Sequence, residues 1–141
     1  MKIVPPTRVV LSLLVAVFLH APAHAEEDET PLGNQMQDIK AALKGLRKAE
    51  DWDAKAALAR KAQEACLNSL QHLPKTFEKI TDEKEKAKAT ADYKRLIGLS
   101  YVALCQLEGA FLAEDQDAAD AAIDKINATK KEGHDAYTED D

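Results

Sequence analysis

From residue 31 to residue 137 the apolar side chains return every three or four positions, in four stretches divided by polar breaks. That spacing keeps them on one face of a helix, whereas a strand would scatter them over both of its faces. The first stretch, about 31–50, carries the stripe Leu32, Met36, Ile39, Leu43 and Leu46, and Asp51-Trp52-Asp53 interrupts it. The second, about 54–73, carries Leu58, Ala62, Ala65, Ser69 and Leu73, with Cys66 and Leu70 beside them. Pro74 ends it, because proline removes a backbone donor. A connection over 74–81 contains Phe77 and Ile80. Asp82, with Glu85 three residues on, reads as a capping box for a third helix running to about 113. Leu96, Ile97, Tyr101, Leu104, Leu107, Phe111 and Leu112 mark this as the most buried helix. After the polar turn 114–117 the fourth stretch, about 118–137, sets Ala119, Ala122, Ile123, Ile126, Lys130, Gly133, His134 and Tyr137 near one face. Four such helices with short links predict an all-α fold, an antiparallel up-down-up-down four-helix bundle over 31–137.

Composition points the same way. Beyond residue 25 the chain has 21 alanines, a single valine (Val102) and two prolines, Pro31 and Pro74. Alanine favours helix, and the scarcity of β-branched residues argues against sheet. Residues 1–25 read as a cleaved secretory leader: Lys2 and Arg8, an apolar run over 9–19, then Ala23-His24-Ala25. The apolar run is shorter than the roughly 20 residues of a membrane span. The expectation is therefore an exported protein, periplasmic in a Gram-negative cell, with no membrane attachment once the leader is removed. Residues 26–30 are expected to form a disordered acidic tail, and 138–141 an acidic end. Without Lys2 and Arg8 the chain keeps 17 basic against 25 acidic residues, a net charge of −8. Nucleic acid and anionic lipid both need a basic footprint, so both are excluded as partners. A basic protein partner is favoured instead. The oligomeric expectation is a monomer or weak oligomer.

No phosphate loop, zinc-type cluster or Ser-His-Asp arrangement is present, and no enzyme activity is predicted. The chemistry-bearing residues lie at the two ends of the helical region. In an antiparallel bundle the start of the first helix and the end of the last share one end of the molecule, on neighbouring helices. Met36 lies near that start and His134 near that end. Met36 is seven residues from Leu43, and His134 eleven from Ile123, each about 20° around the helix from an apolar position. Both are therefore expected to face inward. A methionine on an apolar stripe ordinarily fills a core, and a histidine at a helix end is ordinarily solvated. Together, a thioether and an imidazole are an axial pair for haem iron. They could also hold copper(I), with His72 as an added donor. A haem-free bundle serving as an interaction or stress protein is the remaining alternative. Counting from Pro74 and Asp82 puts Cys66 and Cys105 about 22 Å apart in height. That leaves buried free thiols or a bond between chains.

Leu32-Gly33-Asn34-Gln35-Met36 with Ile39 and Leu43 resembles the first helix of soluble periplasmic cytochrome b562, and residues 126–134 with Tyr137 resemble its last. The resemblance implies one non-covalent haem b held by Met36 and His134 as axial iron ligands in an electron-transfer protein. Both axial positions would then be filled by protein, so electron transfer would be outer-sphere. Where that family has an arginine one turn before the histidine, this chain has Lys130, a cation able to approach a haem propionate. Where the family has phenylalanines on the third helix, this chain has Tyr93, Leu96 and Ile97. Lys130-Lys131-Glu132-Gly133-His134 lacks the two cysteines that covalent haem attachment requires.

Overall fold

The computed structural model describes residues 30–138; the expected leader and most of the two expected acidic tails fall outside the described residues. The helices are α1 (Pro31–Gly45), α2 (Trp52–Ser69), α3 (Glu83–Leu112) and α4 (Gln116–Tyr137), with a short 3-10 helix (Lys75–Lys79) between α2 and α3. They form a four-helix bundle, and no strand is present among the described residues.

All four helices start by the same device. An oxygen-bearing side chain at the N-cap accepts from the backbone N–H three residues on. Thr30 accepts from Gly33, Asp51 from Ala54, Asp82 from Glu85 and Asp115 from Ala118, at 2.7–3.0 Å. Each such cap contributes about 1 kcal/mol. Thr30, expected in a disordered tail, is thus part of the fold. Only half of the expected capping box forms, because the Glu85 carboxylate accepts from Lys88 at 2.8 Å. α3 ends in a Schellman turn: Glu114 N–H donates to the Phe111 carbonyl and Asp115 N–H to that of Ala110, with Glu114 at φ 54°.

Two boundaries differ from expectation. α1 stops at Gly45, about five residues early, and continues as turns over 46–48. A Cβ at Gly45 would stand 3.2 Å from both methyl carbons of Leu58, so glycine lets α1 approach α2 there at the cost of helix propensity. α2 ends at Ser69, well before Pro74, and Leu73 is exposed.

Consecutive helices pack closely, α1 on α2, α2 on α3 and α3 on α4, whereas α1 and α4 do not. α2 contributes a nearly bare backbone to the core, through fully buried Ala56, Ala59 and Ala62. α3 fills the space so made with Leu96, Leu104, Leu107 and Phe111. It is long and apolar enough to cross a membrane by length and composition, but here those four side chains form the bundle core. Leu112, expected among them, is exposed, since it lies past Phe111 on the outer face.

The register of α2 against α3 is fixed by side-chain rungs. Tyr93 donates to the Ser69 carbonyl at 3.2 Å, Cys66 to that of Ile97 at 3.5 Å, and Gln63 to that of Leu104 at 3.2 Å. Arg60 pairs with Glu108 at 2.7 Å. The first ten residues of α3 therefore project beyond the end of α2. From these rungs Cys105 stands roughly 6 to 12 Å of height from Cys66 instead of 22. Both cysteines are free, Cys66 buried and Cys105 half-buried.

Candidate functional site at one end of the bundle

The end of the bundle holding the α1 N-terminus and the α4 C-terminus is organised around three rings. Phe77, from the 3-10 helix, is 2 % exposed. It meets Tyr137 of α4 edge-on at 5.2 Å and Tyr93 of α3 at 6.1 Å, and the two tyrosines meet at 6.2 Å. Edge-to-face geometry sets the positive rim of one ring on the negative face of the next. Each hydroxyl has a polar partner. Tyr93 donates to Ser69, and Tyr137 donates to the Asp92 carboxylate at 2.5 Å. Thr76 donates to the Tyr137 carbonyl at 3.1 Å. Asp92 also accepts from Arg95 at 2.8 Å, and Arg95 reaches Glu132 of α4 at 2.6 Å. These contacts hold the Asp92 carboxyl below its usual range, the Tyr137 hydrogen bond acting first and Arg95 second. Burial pushes both tyrosine hydroxyls up to about 12, and in Tyr137 the bond to Asp92 adds to it.

Met36 and His134 both belong to this end. Gln35 and Asp38 of α1 share a groove with Ala65 and Asn68 near the end of α2, while Thr76 and Phe77 bind the last turn of α4. Neither side chain points into the core as expected: Met36 is 36 % exposed and His134 is exposed. The alignment with Leu43 and Ile123 misled because those two are themselves only half-buried.

The flanks are informative. α4 meets α3 through Lys125 with Gln106, Thr129 with Ser100 and Glu132 with Arg95. On the helical wheel these lie on one side of the buried line Ala119, Ala122 and Ile126; Ile123, Lys130 and His134 lie on the other. α1 meets α2 through Gly45, Gln35, Asp38 and Ala42. Met36 lies on the opposite side of the line Leu32, Ile39, Leu43 and Leu46. Met36 and His134 therefore lie on the flanks that α1 and α4 turn away from α2 and α3, and α1 and α4 do not pack closely on each other. Lys130, exposed, stands one turn before His134 on the same flank. His72 is half-buried in the turn after α2.

The donor chemistry on these flanks suits a haem: a thioether at Met36, an imidazole at His134, and a cation, Lys130, one turn before it. Among the described residues no three His, Cys, Asp or Glu side chains gather as a metal cage. A copper site would rest on Met36, His134 and His72. The signal missed in the sequence was Phe77. It sits three residues after a proline in a link, where an aromatic carries no helical periodicity to mark it as core.

A family model described as Cytochrome b562 matches residues 31–138, the whole helical region. Searches of curated proteins and of solved structures return no match.

Proposed function

The chain belongs to the cytochrome b562 family, and from that premise we propose that it is a periplasmic electron carrier whose haem b is held by Met36 of α1 and His134 of α4. The family binds haem b non-covalently, carries electrons and is not enzymatic; it is typically periplasmic. What supports the ligand assignment is a thioether on α1 and an imidazole on α4, at one end of the bundle, on the flanks of two helices that do not pack closely on each other. Bound there, the haem supplies one iron that accepts and returns a single electron. The thioether of Met36 favours the reduced ion and raises the potential, and the imidazole of His134 completes a neutral pair. Met36 and His134 would both hold the group from the protein side, which suits electron transfer and not chemistry on oxygen. Lys130 is assigned to a propionate, which its ammonium would neutralise in part.

Residues 1–25 supply the basis for export: a basic start, a short apolar run and an Ala-x-Ala end. The acidic surface suits a basic redox partner. The test is absorbance. Exported protein purified with haem available should show low-spin bands that sharpen on reduction. Met36→Ala should convert the spectrum to high-spin, and His134→Ala should release most of the haem. A colourless parent that takes up no haemin, or a Met36→Ala spectrum identical to the parent's, would overturn the assignment. The first result would favour a haem-free interaction protein.

A further inference from the structure

His134 has little of its own to hold it. It is exposed, it follows Gly133, the weakest helix former apart from proline, and it lies in the last turn of α4, where helices fray. A ligand needs a fixed bearing, so the turn must be held from elsewhere. Tyr137, three residues on, is the anchor point. Its ring rests on Phe77 and Tyr93, its carbonyl accepts from Thr76, and its hydroxyl donates to Asp92 across to α3. Asp92 is oriented in turn by Arg95, which also grips Glu132 within the same turn of α4. Thr138 closes the turn by donating its N–H and its hydroxyl to the His134 carbonyl, at 3.1 and 2.5 Å.

We infer that Asp92 and Tyr137 are a positioning pair: the hydrogen bond between them clamps the last turn of α4 onto α3 and so sets the orientation of the His134 ring toward the iron. The inference rests on the ligand assignment above. Neither residue touches the cofactor in this scheme; both act through His134. The ring of Tyr137 supplies packing that phenylalanine would keep, so Tyr137→Phe removes the clamp and little else. Asp92→Ala removes the same bond from the α3 side, and Asp92→Asn leaves a neutral acceptor.

Two readouts test it. In the haem-free chain, amide hydrogen exchange of residues 133–138 should quicken about tenfold in Tyr137→Phe and in Asp92→Ala, as loss of a charge-assisted bond requires, with the core amides of α3 unchanged. In the haem-loaded chain both variants should show a high-spin fraction and faster transfer of haem to an acceptor protein. Asp92→Asn should fall between parent and Asp92→Ala, and the double variant should be no worse than the worse single one. A low-spin parent whose spectrum survives both substitutions overturns the clamp and spares the ligand assignment. So does a uniform fall in thermal stability with no local change in exchange, which marks a merely structural bond. A parent with no low-spin haem removes the assignment itself, and the clamp's functional role with it.

Discussion

The two ends of this bundle are closed by different chemistry. At the end holding the α1–α2 and α3–α4 turns, Trp52 packs on Phe111 at 6.2 Å, Lys55 covers the indole at 4.5 Å, and Gly45 lets α1 settle against Leu58. No hydroxyl bond between helices holds those rings. At the opposite end three rings meet, and both tyrosines are also tethered through their hydroxyls, one to a carbonyl of α2 and one to a carboxylate of α3. Apolar packing is non-directional and tolerates small rotations of a helix. A hydrogen bond to a fixed acceptor does not. The end where Met36 and His134 are proposed to hold the haem is the one built with directional contacts.

The sharpest break of that contrast removes one ring from each end. Phe77→Ala and Phe111→Ala should each cost about 3 to 5 kcal/mol, since both side chains are almost fully buried. Urea unfolding should show similar midpoint shifts for the two. Haemin titration should separate them. Phe77→Ala should weaken binding beyond what its stability loss explains, because Tyr137 loses its support, while Phe111→Ala should bind like the parent wherever it is folded. Equal losses of affinity would mean that the two ends are not functionally distinct.

Much of the architecture was legible because helical structure is local. The apolar stripes, Pro74 and the acidic caps at Asp51 and Asp82 act within a few residues of themselves, so spacing alone revealed four helices and their order. Register is not local. Nothing in the segment 70–82 states how far α3 runs past α2, so the expected height difference between Cys66 and Cys105 is too large by a factor of roughly two or more. Facing is legible only to within half the width of a helix face. Met36 lies on α1 and His134 on α4, both at one end of the bundle, yet on the flanks instead of the core line. That distinction depends on which neighbour each helix packs against. Leu73 and Leu112 were misread for the same reason: an apolar residue at the edge of a stripe, past the last turn of contact, has nothing to be buried against.

High pH should loosen the tethered end first. Burial raises the Tyr93 and Tyr137 hydroxyls from about 10 to about 12, and the Cys66 thiol, with Cys105 adding to it, from about 9 to about 11. A raised folded value means that the folded chain holds its proton where the unfolded chain has lost it. These groups therefore leave stability untouched below pH 9 and remove it as pH rises from 9 to 12. The loss is on the order of 2 kcal/mol for Tyr93 and less for the better-solvated Tyr137. Urea midpoints measured from pH 8 to 12 should fall. Tyr93→Phe should flatten the slope above pH 10, and Cys66→Ala should flatten it between 9 and 11. Phe111→Leu, at the end without hydroxyls, should lower every midpoint equally and leave the slope alone.

The smallest expected effect sets one glycine of each end against the other. Neither Gly133 nor Gly45 has a positive φ, so alanine suits the backbone at both. A Cβ at Gly133 would meet only a methyl carbon of Leu96, at 3.9 Å, an ordinary contact. Gly133→Ala should therefore stabilise the chain by about 0.5 to 1 kcal/mol through helix propensity and reduced freedom of the unfolded chain. At Gly45 the same gain is opposed, because both Leu58 methyl carbons stand at 3.2 Å and must move. Gly45→Ala should come out near neutral or destabilising. Thermal melts of the two variants read the difference directly. If Gly133→Ala also raises the low-spin fraction of the haem-loaded chain, then stiffness just before His134 is part of holding the ligand. If it stabilises the fold and leaves the spectrum unchanged, the bearing of His134 is set by the contacts of Tyr137 alone.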